Sequence, residues 1–151
     1  MSEEEETLAL GMTRSQLLAF NQGIVDEFRA NEGRCGGRFE GNDMILVTMK
    51  GAKSGEERTW PLTYHPYEGA FVVMASAGGH RKHPAWYHNL VANPDVVAEV
   101  GTERFEATAV LAASGEERQA LFDSMTAAMP RFADYQANVD REIPMFRIVR
   151  A

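Results

Sequence analysis

Apolar residues recur at steps of three and four over Leu17, Phe20, Ile24 and Phe28, which puts them on one face of a helix. Thr13 and Gln16 stand three apart just before this face, the spacing of a capping box. The helix runs into a glycine-rich connector at Gly33, Gly36, Gly37 and Gly41. Beyond it the pattern turns to short β-type runs. Met44–Met49 and Arg58–His65 read as strands, with Pro66-Tyr67-Glu68-Gly69 as a turn into a third run over Ala70–Ser76. A short helix starts near Pro84 and stops before Asn93-Pro94. Asp95–Val100 and Glu103–Leu111 form two strands joined through Gly101-Thr102. Gly115-Glu116 opens a helix carrying Leu121, Met125 and Met129 on one face and ended by Pro130, and Met145–Val149 returns to strand character. Six strands and three helices, with the strands mostly consecutive, predict an α+β or antiparallel-barrel domain. A doubly wound sheet would need more helices between its strands.

Composition narrows the classes. The chain has 151 residues, 44% hydrophobic and 25% charged, with a formal charge of −7, as expected of one globular domain. No apolar run approaches the ~20 residues that span a bilayer. Glu3 to Glu6 give residues 1–12 the character of an acidic flexible tail and do not resemble a secretory leader; the domain is expected over 13–151. A single cysteine, Cys35, excludes an internal disulfide framework and fits a reducing cytoplasm; Arg34 and Arg38 nearby can lower its pKa, but no base pairs with it in sequence and it reads as an incidental thiol. Net negative charge disfavours nucleic acid as a partner. The first helix can cover one end of a sheet or make peripheral membrane contact, and its weakly basic polar face favours the former.

Three segments carry candidate chemistry. In Met49–Arg58, two glycines four apart, Gly51 and Gly55, let the backbone turn while Lys53, Ser54 and Arg58 can face an anion. The spacing is not that of a P-loop, and a plain hairpin is the competing reading. In Ala75–Asn89 a strand ends, Gly78-Gly79 allows unusual dihedrals and a helix begins, where backbone N–H groups can meet an anion or a polarised carbonyl. Trp86 and Tyr87 can form a flat wall for a ring system or simply fill the core. His80, His83 and His88 fall here without a carboxylate among them, so no metal site is expected. The third segment, Met129–Gln136, places Phe132 and Tyr135 on one helical face, with Tyr135 as a possible proton source. A G-x-S-x-G elbow is absent.

Taken together, the strings Gly51–Gly55 with Arg58 and Pro61-Leu62, Ala75-Ser76 through Gly78-Gly79, His83–Pro94, Asp134-Tyr135-Gln136 and Asp140–Pro144 resemble the deazaflavin-dependent nitroreductase family of actinobacteria. The resemblance extends from about Phe20 to Val149. It implies a single-domain split β-barrel, six-stranded and mostly antiparallel, with three to four flanking helices. It also implies an oxidoreductase that uses the reduced 8-hydroxy-5-deazaflavin coenzyme, F420, with FMN as the alternative cofactor. By resemblance, Lys53, Ser54, Gly55 and Arg58 hold the coenzyme's phosphate and carboxylates. Pro61, Met74, Ala75, Ser76, Ala77, Ala85, Trp86, Tyr87, His88 and Asn89 line its ring. Thr63, Met129, Phe132 and Tyr135 shape the acceptor pocket, and Ser76 and Tyr135 are the catalytic candidates.

Ala52 and Ala77 stand where relatives often carry Arg and Lys, and Met129 and Phe132 where nitroimidazole-reducing members have tyrosines. The implied reaction is hydride transfer to a small electrophile: a quinone, an activated enone such as a coumarin-type lactone, or a nitro compound. A non-catalytic deazaflavin-binding or storage protein is the reading from another class. The charge distribution agrees with an acidic ligand. No Asp or Glu lies between Ser76 and Pro94, whereas Arg81, Lys82 and three histidines do.

Overall fold

The computed structural model describes residues 12–77 and 82–151, with the backbone alone for Arg14 and Arg38. The acidic stretch up to residue 11 and the Gly78–Arg81 part of the second segment lie outside the described residues. Helix α1 (Arg14–Ala30) begins at the expected capping box: Gln16 N–H donates to Thr13 Oγ1 and Thr13 N–H to Gln16 Oε1. It stops where Glu32 takes a left-handed φ of 57° and Gly33 N–H returns 2.8 Å to Phe28 O. Gly33 is required by proximity as well as by its φ of +92°, because a Cβ there would lie 2.7 Å from Gly101 Cα.

Seven strands follow, one more than predicted: β1 (Met44–Lys50), β2 (Glu57–Thr63), β3 (His65–Tyr67), β4 (Ala70–Met74), β5 (Asp95–Val100), β6 (Glu103–Ala112) and β7 (Met145–Arg150). The run Arg58–His65 is broken at Tyr64, whose N–H reaches Asp43 O at 2.9 Å in register with the β1–β2 pairing before the chain passes to β3. Pro66 and Tyr67 are strand, not turn. They pair with Phe71 and Ala70, and the turn shrinks to Glu68 (φ 48°) and Gly69 (φ 80°). Two consecutive positive φ values match the twist of a two-residue hairpin, and an edge strand tolerates a proline. β4 ends at Met74, two residues early, because Ala75 O and Ser76 O are taken by Arg141.

All pairings are antiparallel, in the order β2-β1-β5-β6-β7-β4-β3. The outer strands β2 and β3 are joined by the single residue Tyr64. Seven strands laid flat would separate their edges by roughly 29 Å, whereas two residue steps span about 7 Å. The sheet must therefore roll until its edges meet at one corner, and among the described residues no strand pairing closes the seam. The result is a split β-barrel.

Alternate residues of β1 point to its two faces. Ile45, Val47 and Met49 join Val73, Phe146 and Ile148 inside the barrel, while Met44 and Leu46 pack under Ile24, Val25 and Phe28 of α1. Burial on both faces explains the unbroken apolar run. Helix α2 (Ala85–Ala92) seals the interior with Trp86 and Leu90. Helices α3 (Gly115–Ala128) and α4 (Arg131–Ala137) bury Leu121, Met125 and Phe132 against Val72, Met74 and Met145 on the outside. α4 is the fourth helix, begun by Pro130.

Candidate functional site

A cavity of about 1030 Å³ opens where α1, the β1–β2 loop, β2, the end of β4, α2 and α4 converge. Its rim is built by the hairpin loop after β1. Gly51 N–H donates to Glu56 O at 2.8 Å, Gly55 N–H to Gly51 O at 3.0 Å and Glu56 N–H to Ser54 Oγ at 3.1 Å. α2 holds this loop from below: Asn89 Oδ1 accepts the Ala52 N–H at 2.9 Å, and Asn93 Nδ2 reaches Lys50 O. Lys53 and Arg58 stand exposed on the rim, and Arg58 Nη2 meets Glu56 Oε2 at 3.1 Å. Lys82 adds a third cation to the lining.

Deeper in, the wall turns apolar. Trp60, Pro61, Met74 and Trp86 line it, and α1 closes it with Leu17, Phe20 and Ile24. Ser76 is buried in the wall, and Ala77 next to it adopts a left-handed φ of 50°. Such a conformation costs a non-glycine residue about 1–2 kcal/mol. Arg141, which holds Ala75 O and Ser76 O at 3.1 Å each, fixes the turn. On the α4 side, Phe132 and Tyr135 meet edge to face at 5.3 Å, and Arg131 lies over the Phe132 ring. Trp60 Nε1 is buried without a partner among the described residues, so this wall contains an N–H that the protein itself leaves unsatisfied.

Of the residues singled out in sequence, Lys53, Ser54, Arg58, Pro61, Met74, Ser76, Ala77, Ala85, Trp86, His88 and Asn89 line the cavity, together with Thr63, Phe132 and Tyr135. Four stand apart from it. Ala75 is fully buried in the barrel, Gly55 turns the loop corner at φ +71°, and Met129 packs with the cluster under α3. Tyr87 stacks instead on His83 and touches Phe146. Asn89 holds the loop, and the Thr63 hydroxyl donates to Met44 Sδ at 3.4 Å.

The sequence reading passed over Trp60, Glu56, Arg131, Arg141 and the α1 residues. Trp60 was accessible through the alternation that sends 60 and 62 to one face. The partners of Arg141 had no local signal. Burial, then the charge of Glu27, pushes the Cys35 thiol pKa up, as suits an incidental thiol and not an activated thiolate. Among the described residues no cluster of three or more His, Cys, Asp or Glu is placed to hold a metal ion. No helix among them is long and apolar enough to cross a membrane.

A family model described as F420H(2)-dependent quinone reductase matches residues 22–149. An F420H(2)-dependent quinone reductase of Mycobacterium tuberculosis is 36% identical over 138 residues, covering 89% of this chain and 91% of its own. A solved structure of an F420-H2 dependent reductase, FDR-A, is 39% identical with a TM-score of 0.64, over 70% of this chain and 93% of that one. A second, described as a domain-swapped dimer, is 33% identical with a TM-score of 0.66, over 90% and 99%.

Proposed function

The chain belongs to the F420H2-dependent quinone reductase family, and from that premise we propose that its cavity holds reduced F420 beside a quinone, which it reduces. The observation that carries this reading is the division of the cavity into a cationic rim and an apolar, aromatic interior. A coenzyme with a phosphate, an acidic tail and a planar ring needs both. Lys53, Ser54 and Arg58 meet the tail, and the loop that presents them is already held by Asn89, which lowers the ordering cost of binding. Trp60, Pro61 and Trp86 exclude water from the ring. The residues present fit the group: cations stand on the rim and flat apolar side chains line the interior.

When bound, reduced F420 supplies a hydride; the protein supplies position and electrostatics. The apolar walls confine a flat acceptor against the ring plane, so proximity accounts for much of the rate. The Ser76 hydroxyl donates to the acceptor oxygen as negative charge develops there. The Tyr135 phenol, on the α4 side, delivers the proton that completes the hydroquinone. Activated enones such as coumarin-type lactones offer the same flat, oxygen-bearing shape and are expected to react. Nitroimidazoles are expected to be poor substrates, since Met129 and Phe132 offer no phenol.

The test is a titration of purified protein with F420 and with FMN, followed by single-turnover mixing of the F420H2 complex with menadione. Saturable F420 binding, little FMN binding and accelerated coenzyme oxidation are expected. Tight FMN binding in place of F420 overturns the cofactor, and binding without acceleration makes the protein a carrier.

A further inference from the structure

Arg141, in the segment between α4 and β7, reaches the α2 side of the cavity. Its Nη1 lies 2.9 Å from His83 Nδ1, a contact between residues 58 apart in sequence. A guanidinium offers donors only and keeps its charge, so His83 Nδ1 must be the acceptor and the ring proton must sit on Nε2. An imidazolium would set N–H against N–H at that distance. The Tyr87 ring covers one face of the imidazole at 4.1 Å and 29°, and His88 meets it edge-on at 6.0 Å. His83 lines the cavity, and its Nε2 is neither hydrogen-bonded to a described residue nor shut away from the surface. Burial first, then the charges of Arg141 and His88, hold the ring below the ordinary histidine pKa, in agreement with a neutral imidazole.

We propose that His83 presents a neutral Nε2–H donor to a carbonyl-type oxygen of the ring system bound in the cavity, with Arg141 as the positioning residue that locks this tautomer. A neutral donor suits an uncharged oxygen, whereas the anionic tail is better met by Lys53 and Arg58 on the rim. The inference rests on the cavity being the deazaflavin site. The oxygen can belong to the coenzyme or to the acceptor, and binding separates the two.

Long-range ¹⁵N–¹H spectra of the ligand-free protein read the tautomer directly. At about pH 7.5, His83 is expected to show a protonated Nε2 and a bare Nδ1. An Nδ1–H tautomer or an imidazolium there overturns the proposal. In Arg141→Gln the lock is lost and the titration of His83 moves up, while burial still holds it below the ordinary histidine value; an unchanged His83 signal removes Arg141 from this role. His83→Phe keeps a ring on Tyr87 without the donor, and His83→Gln restores an N–H at similar reach. The Phe variant should lose about tenfold and the Gln variant should recover most of it. A loss in F420 affinity assigns the oxygen to the coenzyme; a loss in kcat/KM for menadione at constant F420 affinity assigns it to the acceptor. No change in either for His83→Phe overturns the donor role. Wild-type protein that binds no F420 overturns the reading of the cavity and with it the ligand named here, while the spectra still report the lock.

Discussion

Arg118 Nη2 lies 2.7 Å from Gln136 Oε1, and the same oxygen receives the Ile143 N–H at 2.8 Å. Arg118 is 4% exposed, its Nε donates to Ile143 O, and its guanidinium covers the Phe122 ring at 4.3 Å. Gln136 Nε2 in turn donates to Arg141 O at 2.8 Å. These bonds tie α3, α4 and the segment before β7 together and so carry the backbone of Arg141. Glu142, half-exposed and 3.6 Å from Arg118, adds little to the fold. Arg118→Met is expected to destabilise by about 2–3 kcal/mol, because Ile143 O is left buried without a donor. A double-mutant cycle with Gln136→Ala should give a coupling of about 1–2 kcal/mol in urea unfolding; additive losses would mean that the two side chains act separately.

Glu56 competes for Arg58 on the cavity rim. Glu56→Gln should tighten F420 binding about two- to fivefold at low salt, and the gain should fade near 0.5 M salt, roughly, as exposed charges are screened. Weaker binding in this variant would place the coenzyme's acidic tail elsewhere.

Asn89→Ala removes the acceptor for the Ala52 N–H and loosens the loop that carries Lys53 and Ser54. F420 affinity should fall about three- to tenfold while stability changes by less than about 1 kcal/mol. Fluorescence titration beside thermal melting separates this from general damage.

Acid should destabilise the fold partly through His83. Its pKa in the folded protein lies below the unfolded value of about 6.5. The unfolded chain therefore binds this proton more readily, and the stability held above about pH 6.5 is lost as pH falls through the folded pKa. Unfolding free energies compared between pH 7.5 and 5.0, roughly, should drop less in His83→Gln than in the wild type.

Two glycines predict opposite outcomes. Gly33→Ala should cost more than about 2 kcal/mol, since φ is +92° and the Gly101 backbone stands in the way. Gly23 sits exposed within α1 with open space around its Cα, so Gly23→Ala should stabilise by about 0.5–1 kcal/mol. Thermal midpoints that move in the same direction would contradict this account of the two sites.

The sequence alone determined what depends on neighbours along the chain. The α1 capping box, the apolar β1 run, the Gly101-Thr102 hairpin and the basic loop at Lys53–Arg58 all follow from spacings of a few residues, where backbone geometry dictates which groups meet. Strand count failed at Tyr64 because the residues before it pair with β1 and those after it with β4, a change of partner invisible to alternation. The motif strings placed most of the cavity lining, yet gave Tyr87 and Met129 to the pocket when packing turns them onto His83 and the α3 cluster. Only the tertiary structure decided that α1 closes the cavity, that Asn89 holds the loop, and that Arg141 engages His83. A periodic pattern says which face of an element is buried but not against what. That choice belongs to the curl of the sheet, which brings residues 58 positions apart to within 2.9 Å.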